Sequence, residues 1–209
     1  TQIARRQRQM CKETDVILTG GRYGLGSKDT PPSSIFALFK ELEKDQPKER
    51  FTLGITDDVT GLSLPEVKPA PITAAAGTKE CKFWGLGGDG TVGANKNSVK
   101  IIGDHTDKYV QAYFQYDSKK TGGVTISHLR FGDKPIRSPY YINQADFVAC
   151  HNPAYIHMGM KMVQDVKPGG VFMINCQWND EELGHHLNAE AKKYIFSYTH
   201  LRAHETRED

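Results

Sequence analysis

The sequence predicts an α/β fold, and three features of its organisation predict it. Short apolar runs alternate with helix-forming segments through the middle of the chain. A glycine motif separates one of these runs from the helix after it, and a proline-rich stretch divides the chain into two parts. Alternating strands and helices are typical of a sheet flanked by helices. The 209 residues and 23.4 kDa leave room for one large domain or for one and a half small ones.

Composition excludes several classes of protein. The formal net charge of +2 provides no strongly basic surface, so we expect no nucleic-acid partner. No apolar run approaches the roughly 20 residues of a membrane span, so we expect no membrane partner. The cysteines form no CxxC or Cys/His pair at metal spacing, so this chain by itself should build no zinc or iron–sulfur site, and we expect reduced thiols in the cytoplasm. They are Cys11, Cys81, Cys150 and Cys176.

The two ends of the chain differ from its middle. Residues 1–12 are basic and aperiodic, and residues 197–209 are polar and aperiodic, as in solvated tails. The strings RRQRQMC and SYTHLRAHET resemble translated sequencing adapters, so we expect both tails to be non-native and the natural sequence to span residues 13–196. The alternative is a basic arm that binds a partner and a histidine-bearing tail that binds metal.

The first segment, residues 13–62, has the pattern of the end of a βαβ domain. An apolar run at residues 15–19 stops at a glycine turn, which predicts a buried strand. Prolines and serines at residues 30–34 then begin a helix, and a second strand is expected at residues 51–55. The predicted helix has one apolar face, made of Ile35, Leu38, Phe39 and Leu42.

After a proline-rich stretch at residues 63–78, which we expect to be an extended linker, the chain carries its most informative motif. Gly85, Gly87 and Gly90 satisfy G-x-G-x-x-G between a short strand and a helix expected at residues 91–102. Residues without side chains let backbone N–H groups approach a phosphate at the positive end of the helix. A strand at residues 109–116 then completes a right-handed βαβ crossover, which predicts a Rossmann-like domain.

The residues after that strand bear on the ligand. An acid at this position contacts the ribose hydroxyls of NAD, whereas a cation accommodates a phosphorylated ribose. Asp117 leaves the first option open, while Lys119 and Lys120 favour a phosphorylated ribose, as in NADP or coenzyme A. The alternative is that the glycines only form a tight turn and that both lysines are solvated.

The remaining segments complete the sheet and its helices. Strands are expected at residues 123–131, 146–150 and 169–175, and helices at residues 153–166 and 180–196.

The other polar candidates have weaker support. His128 and His151 lie on or just beyond strands with no nucleophile or carboxylate at a fixed spacing, so we expect hydrogen-bonded structural groups. Cys150 and Cys176 end apolar strands and should be small buried hydrophobic residues. The pair His185–His186 on a predicted surface helix gives only weak support to metal binding.

Several strings now carry a resemblance to a known family. In chain order they are GGRYGLGSKDTPPS, FTLGITDDVTGLSLP, CKFWGLGGDGTVGANKNSVKIIGD, YDSKKTGGVTISHLRFGDKPI and ADFVACHNPAYI. They resemble pyruvate:ferredoxin (flavodoxin) oxidoreductase, also called pyruvate synthase, over residues 15–195. That family converts pyruvate and coenzyme A to acetyl-CoA and carbon dioxide and reduces ferredoxin or flavodoxin. The resemblance therefore implies a cytoplasmic oxidoreductase of anaerobic pyruvate metabolism and electron transport, homodimeric when full length.

The resemblance also implies a domain organisation. Residues 13–62 would end a transketolase-C-terminal-like α/β domain, residues 63–78 would be the linker, and residues 79–196 would form most of a gamma-type, Rossmann-like domain with a mixed sheet. Thiamine diphosphate and three [4Fe–4S] clusters belong to the family but would lie on segments outside this chain. The chain alone should therefore hold no catalytic residue and no metal ligand, and we expect it to be inactive.

The resemblance finally implies a site for coenzyme A. Its residues here would be Gly87, Gly88, Asp89, Gly90 and Thr91 in the loop, together with Lys119. Backbone amides would hold the diphosphate, and the lysine would hold the ribose 3′-phosphate. Two alternatives stay open from the residues alone: an independent NADP-dependent oxidoreductase that uses the same loop, and a non-catalytic interaction module.

Overall fold

The computed structural model describes residues 17–117, 122–198 and 200–204. The chain divides into two compact units, Thr1–Thr73 and Ala74–Asp209, which are described separately here as unit 1 and unit 2. Both combine strands with helices, so the predicted α/β class is confirmed. The basic segment at residues 1–12 lies outside the described residues.

Unit 1 contains two short parallel strands joined by one helix. Strand β1 is Gly20–Arg22, helix α1 is Pro32–Leu42, and strand β2 is Arg50–Thr52. The strands pair in parallel with Gly21 opposite Phe51, so the predicted βαβ pattern is present. The predicted position of the first strand was wrong, because the described part of the run at residues 15–19 is not a strand and pairing begins at Gly20.

The apolar face of α1 is largely exposed rather than buried. Phe39 is 60% exposed and Leu42 is 44% exposed, whereas Ser34, Ala37 and Glu41 are buried. The buried polar side chains have partners: the Ser34 hydroxyl donates to Glu66, and the Glu41 carboxylate accepts the N–H of Lys48 at 2.9 Å. These hydrogen bonds hold a polar face of the helix inward and leave most of the apolar face in solvent.

The core of unit 1 extends beyond its strands. Phe51, Leu53 and Leu64 are buried with Ala37, and Val67 packs against them. Ser63 forms an isolated parallel bridge with Thr52. The proline-rich stretch therefore begins with residues that pack into unit 1.

Unit 2 is built on one sheet whose strand order is β4-β5-β3-β6-β7-β8. Strand β3 pairs in parallel with β6 and antiparallel with β5, so the predicted mixed sheet is confirmed. Strands β6, β7 and β8 are all parallel, and β4 is antiparallel to β5. The strands are β3 Lys79–Leu86, β4 Tyr109–Tyr116, β5 Val124–Gly132, β6 Ala145–Cys150, β7 Val166–Asn175 and β8 His200–His204.

The predicted βαβ crossover has a strand inserted into it. Helix α2, Thr91–His105, follows β3 as expected and leads to β4. Strand β4 is parallel to β3 but does not pair with it, because β5 folds back from β4 and occupies the position between them. The right-handed sense of this connection stays a prediction.

Two predicted helices are divided. The segment at residues 153–166 forms only the short helix α3, Ala154–His157, and a 3₁₀ turn at Val163–Asp165, with Gly159 at φ 71° between them. The segment at residues 180–196 forms α4, Asp180–His186, and α5, Ala189–Tyr198. The break follows from local chemistry, because Leu187 is extended and the Asn188 side chain accepts the N–H of Ala191 at 2.7 Å.

The end of the chain differs from the expectation of an aperiodic tail. His200–His204 form the edge strand β8, which pairs in parallel with β7. Segment 197–209 therefore contains regular structure, and its proposed non-native origin stays a prediction.

The main core lies on one face of the sheet in unit 2. Helices α4 and α5 contribute apolar side chains that pack with those of β6 and β7. In the described part of the chain, no helix is long and apolar enough to span a bilayer. Fully buried members of this core include Val148, Tyr155, Met162, Phe172, Ile174 and Leu183.

Candidate functional site

The candidate site lies where three parallel strands end. Strands β3, β6 and β7 are neighbours with the same direction, so their carboxyl ends meet at one edge of the sheet. Ligands of open α/β sheets bind at this edge. A glycine-rich turn, residues 86–91 and called here the glycine loop, follows β3. His151 follows β6, and Trp178 lies just after β7.

Backbone geometry explains the glycines of this loop. Gly88 has φ 95° and Gly90 has φ 86°, which residues with a Cβ rarely adopt. Gly85 is required by packing instead, because a Cβ there would lie 2.6 Å from Oγ1 of Thr91. The predicted strand, loop and helix are thus confirmed as local structure. The five consecutive site residues 87–91 are brought together as one turn at the start of α2.

Asp89 organises the glycine loop from within. Its carboxylate accepts the N–H of Leu86 at 2.7 Å and the N–H of Thr91 at 2.8 Å. Partial burial acts to raise the pKa of Asp89, but the hydrogen bonds from Leu86 and Thr91 outweigh it, so the pKa lies below its ordinary value. Asp89 is therefore ionised at neutral pH and neutralises part of the positive helix end.

The start of α2 still presents backbone donors. The N–H groups of Val92 and Gly93 have no acceptor within the helix, because they belong to its first turn. Helix α2 is 15 residues long, so its aligned peptide dipoles place positive potential at these groups. The loop and the first helical turn can therefore accept an anion, although the Asp89 carboxylate already occupies two nearby amides.

Neighbouring strands hold the loop in place. The N–H of Gly87 donates to the carbonyl of Gly123 at 2.7 Å, which joins the loop to the residue that precedes β5. The Tyr155 hydroxyl donates to the carbonyl of Gly85, and burial raises the pKa of Tyr155 to about 12. Sequence reasoning missed Tyr155, whose only signal was its position in the ADFVACHNPAYI string shortly after a strand.

His151 lies beside the loop on the face of the sheet that α2 covers. Its imidazole stacks on Phe83 with ring centroids 6.2 Å apart, and the backbone N–H of His151 donates to the carbonyl of Trp84 at 3.0 Å. Burial lowers the pKa of His151, and the nearby Asp89 carboxylate offsets part of that effect. A neutral imidazole therefore lies next to the glycine loop, consistent with the predicted structural role.

Lys119, the remaining predicted site residue, lies outside the described residues, as does Lys120. Their roles stay predictions. Strand β4, which precedes them, ends at Tyr116.

The opposite face of the sheet contains buried ion pairs. Lys82 Nζ lies 2.6 Å from Oδ2 of Asp165, which also accepts the indole N–H of Trp84 at 3.3 Å. Arg130 donates to Glu80 at 2.9 Å and to the carbonyl of Tyr140 at 2.8 Å. Because every charge in these contacts faces an opposite charge or a hydrogen-bond partner, the geometry indicates structural pairs.

His128 is a buried structural histidine, as predicted. Its Nδ1 accepts the N–H of Ile142 at 3.2 Å, and its ring stacks on Tyr141 with centroids 4.7 Å apart. Burial, with Lys82 and Arg130 nearby, lowers the pKa of His128 to about 3. The imidazole is therefore neutral at every physiological pH.

The described cysteines are not arranged as ligands or nucleophiles. Cys150 and Cys176 are 0% and 4% exposed, which confirms them as small core residues. Burial raises the pKa of Cys81 to about 11 and that of Cys150 to about 12, so these thiols stay protonated. Within the described ranges, no three histidine, cysteine or acidic side chains lie close enough to hold a metal ion.

Three rings form a second group at the same edge of the sheet, and sequence reasoning missed it. Trp178 stacks on His186 with centroids 3.8 Å apart. The His157 ring contacts both of these rings edge-on, with its centroid 5.4 Å from that of Trp178 and 5.1 Å from that of His186. We call these three residues the ring cluster. His185, which precedes His186 on the same helix, is exposed.

Comparison with known proteins provides the family. The model of the family described as pyruvate ferredoxin/flavodoxin oxidoreductase matches residues 80–204. Pyruvate:ferredoxin oxidoreductase of Moorella thermoacetica is 57% identical over 181 residues, which are 87% of this chain and 15% of that protein. Pyruvate-flavodoxin oxidoreductase of Klebsiella pneumoniae is 52% identical over 179 residues, 86% of this chain and 15% of that protein.

The chain thus spans about 15% of the length of these curated relatives. Among solved structures, pyruvate oxidoreductase subunit PORC from Thermotoga maritima is similar with a TM-score of 0.44 and 20% identity, covering 53% of this chain and 57% of that chain. The family match covers the glycine loop, α2 and the sheet of unit 2 except Lys79, the first residue of β3. The chain belongs to the pyruvate ferredoxin/flavodoxin oxidoreductase family.

Proposed function

We propose that this chain is a segment of an enzyme that oxidatively decarboxylates pyruvate with coenzyme A, forming acetyl-CoA and carbon dioxide and reducing ferredoxin or flavodoxin. Within that enzyme, the segment holds coenzyme A. Family membership supports the reaction, and the names of the relatives include both carriers. The proposed full-length enzyme is cytoplasmic and homodimeric.

The observation that carries the coenzyme A assignment is the glycine loop at the start of a long helix. Gly87, Gly88, Gly90 and Thr91 bring backbone close to the positive end of α2, where the N–H groups of the first turn lack helical acceptors. In the proposal, the ligand diphosphate lies against this backbone. Asp89 fixes the loop conformation through its two short hydrogen bonds.

Lys119 completes the proposed site by holding the ribose 3′-phosphate. A lysine ammonium suits a phosphate as a point charge on a flexible stem. Strand β4, which precedes Lys119 in the chain, is parallel to β3, so β4 ends at the same edge of the sheet as the glycine loop. The proposed domain organisation keeps residues 13–62 as the end of a transketolase-C-terminal-like domain, 63–78 as a linker whose first residues pack into unit 1, and 79–196 as the gamma-type domain.

The family's [4Fe–4S] clusters do not fit the described cysteines. Cluster ligands are thiolates, whereas the Cys81 and Cys150 thiols are held protonated by burial and Cys176 is buried in the core. In the proposal, the clusters and the family's thiamine diphosphate belong to other parts of the full-length enzyme. What this segment contributes is positioning, because it restrains one reactant while the chemistry takes place elsewhere.

The central experiment compares coenzyme A with dephospho-coenzyme A, which lacks the ribose 3′-phosphate, by titration calorimetry. One charge contact contributes about 1 kcal/mol and one hydrogen bond to a charged group about 1.5 to 3 kcal/mol. Lys119→Ala should therefore weaken coenzyme A binding by roughly five- to a hundredfold and abolish the preference for coenzyme A over its dephospho form. Lys134→Ala, which removes an exposed lysine between β5 and β6, is the matched control and should bind as the wild type does.

Other outcomes of this titration select other functions. Equal affinity of the wild type for the two ligands would refute the role of Lys119. The glycine loop would then be the only remaining part of the proposed site. Tighter binding of NADP than of coenzyme A would support an independent NADP-dependent oxidoreductase. No binding of any nucleotide would leave an interaction module whose glycines only form a turn.

The proposal also predicts that the isolated chain is inactive. Purified chain with pyruvate, coenzyme A and thiamine diphosphate should not reduce an artificial electron acceptor. Reduction under these conditions would show that the reacting groups lie within this chain. It would overturn the proposal that they belong to other parts of the enzyme.

A further inference from the structure

We propose that the ring cluster of His157, Trp178 and His186 contacts the pantetheine arm of coenzyme A. This inference rests on the proposed function and extends it from the diphosphate to the other half of the ligand. The cluster lies outside the residues assigned to the nucleotide, and the described part of the chain has no other group of three mutually contacting rings.

Sheet topology places the cluster within reach of the glycine loop. Trp178 lies just after β7, and His157 ends the short helix that follows β6. Strand β7 is two positions from β3, so the two groups are separated laterally by about 10 Å at neighbouring strand spacings. A diphosphate over the glycine loop would therefore leave the rest of an extended ligand free to run along this edge.

The order of the strands gives the direction in which the proposed ligand would run along this edge. The proposed function places the ribose phosphate end toward β4, which lies on one side of β3. Strands β6 and β7 lie on the other side of β3, where their carboxyl ends continue the same edge. The arm that leaves the diphosphate in the opposite direction to the ribose therefore passes over the segments that follow β6 and β7.

The chemistry of the cluster suits that arm. Pantetheine is uncharged and combines two amides with apolar carbons and a thiol, so it favours a surface that is apolar with polar edges. The ring cluster supplies an indole and two imidazoles, and Met158 beside it is 62% exposed. His157 is itself exposed, so a ligand can reach the cluster without opening the core.

Fluorine NMR of the fluorotryptophan-labelled chain tests this directly, because the protein contains 2 tryptophans. Trp178 belongs to the cluster, whereas the Trp84 indole binds Asp165 on the face of the sheet opposite α2. The Trp84→Phe and Trp178→Phe variants assign the two signals. Coenzyme A should shift the Trp178 signal, whereas adenosine 3′,5′-bisphosphate, which lacks pantetheine, should bind without shifting it.

Substitutions provide a second readout. His157→Ala should weaken coenzyme A binding about three- to tenfold, the range of one aromatic contact, and leave the affinity for adenosine 3′,5′-bisphosphate unchanged. His185→Ala is the matched control, because His185 is exposed on the same helix as His186 without belonging to the ring cluster. His185→Ala should leave the affinity for both ligands unchanged.

Three results would overturn the inference. Coenzyme A binding without a change at Trp178 would place the arm elsewhere. An equal shift with adenosine 3′,5′-bisphosphate would place the nucleotide end at the cluster. If neither compound binds, the proposed function fails and the inference fails with it. The first two results leave coenzyme A binding intact, so they separate failure of this inference from failure of the proposed function.

Discussion

Gly85 and Thr91 lie so close across the glycine loop that a Cβ on Gly85 would come within 2.6 Å of the Thr91 hydroxyl oxygen and 2.7 Å of its Cβ. Gly85 ends no turn and has no left-handed backbone, so its role is to let the first residue of α2 rest directly on strand β3. The strand, the loop and the helix are thereby held as one rigid unit.

We predict that Gly85→Ala destabilises unit 2 by about 1 to 3 kcal/mol, because the added methyl group must displace the start of α2. Urea unfolding followed by circular dichroism measures the change. Gly93→Ala is the control, since Gly93 lies on the same helix with open space around its Cβ position. That variant should gain about 0.5 to 1 kcal/mol from helix propensity. Equal effects of the two substitutions would show that the contact is not tight.

A second prediction concerns Asp89. Its carboxylate accepts two backbone N–H groups, so Asp89→Ala should cost about 0.5 to 2 kcal/mol, the range for lost helix caps. Asp89→Asn keeps one oxygen acceptor and should lose less.

The same residue gives a pH dependence. Because the folded pKa of Asp89 is lowered, its contribution is present above the unfolded pKa near 3.8 and is lost as the pH falls through the folded value. Unfolding measured from pH 7 down to pH 3 should therefore show a smaller acid loss in Asp89→Ala than in the wild type. Parallel curves for the two proteins would contradict this.

The third prediction uses His128, whose pKa is lowered from 6.5 to about 3 by burial. Between these values the unfolded chain binds a proton that the folded chain excludes, so stability rises with pH in this window. The contribution of His128 is therefore complete above about pH 6.5 and falls as the pH is lowered toward 3.

His128→Gln removes this titration but retains an oxygen that can accept the N–H of Ile142. We expect a flatter loss of stability between pH 6.5 and pH 4 in this variant, measured by thermal unfolding at a series of pH values. His105→Gln, at the exposed end of α2, should keep the wild-type slope. A wild-type slope in His128→Gln would mean that His128 is solvated in the folded protein.

The sequence by itself determined those elements whose signals are local. The strand before the glycine loop, the turn and the start of α2 were all predicted, because glycines at positive φ and a following helix are properties of neighbouring residues. Strand β4 was predicted with its observed bounds, since six of its eight residues are apolar or aromatic and only Gln111 and Gln115 are polar. The buried character of Cys150 and Cys176 followed from the same kind of local pattern.

Tertiary structure decided the features that depend on distant partners. The insertion of β5 between β3 and β4 follows from long-range pairing, which no periodicity encodes. The inward face of α1 carries polar residues because Glu66, 32 positions away, accepts a hydrogen bond from Ser34, and Lys48, beyond the end of the helix, donates one to Glu41. A periodic apolar pattern identifies a helix but cannot reveal such partners.

The candidate site also has one part that local sequence predicts and another that only tertiary structure decides. Its backbone loop could be predicted from consecutive residues, whereas the Tyr155 contact with Gly85 spans 70 positions in the chain. The ring cluster joins segments that follow two different strands, so its three residues become neighbours only when β6 and β7 pair. Local sequence determines what a segment can form, and the pairing of strands decides which segments meet, because hydrogen-bonded ladders join residues without regard to their separation in the chain.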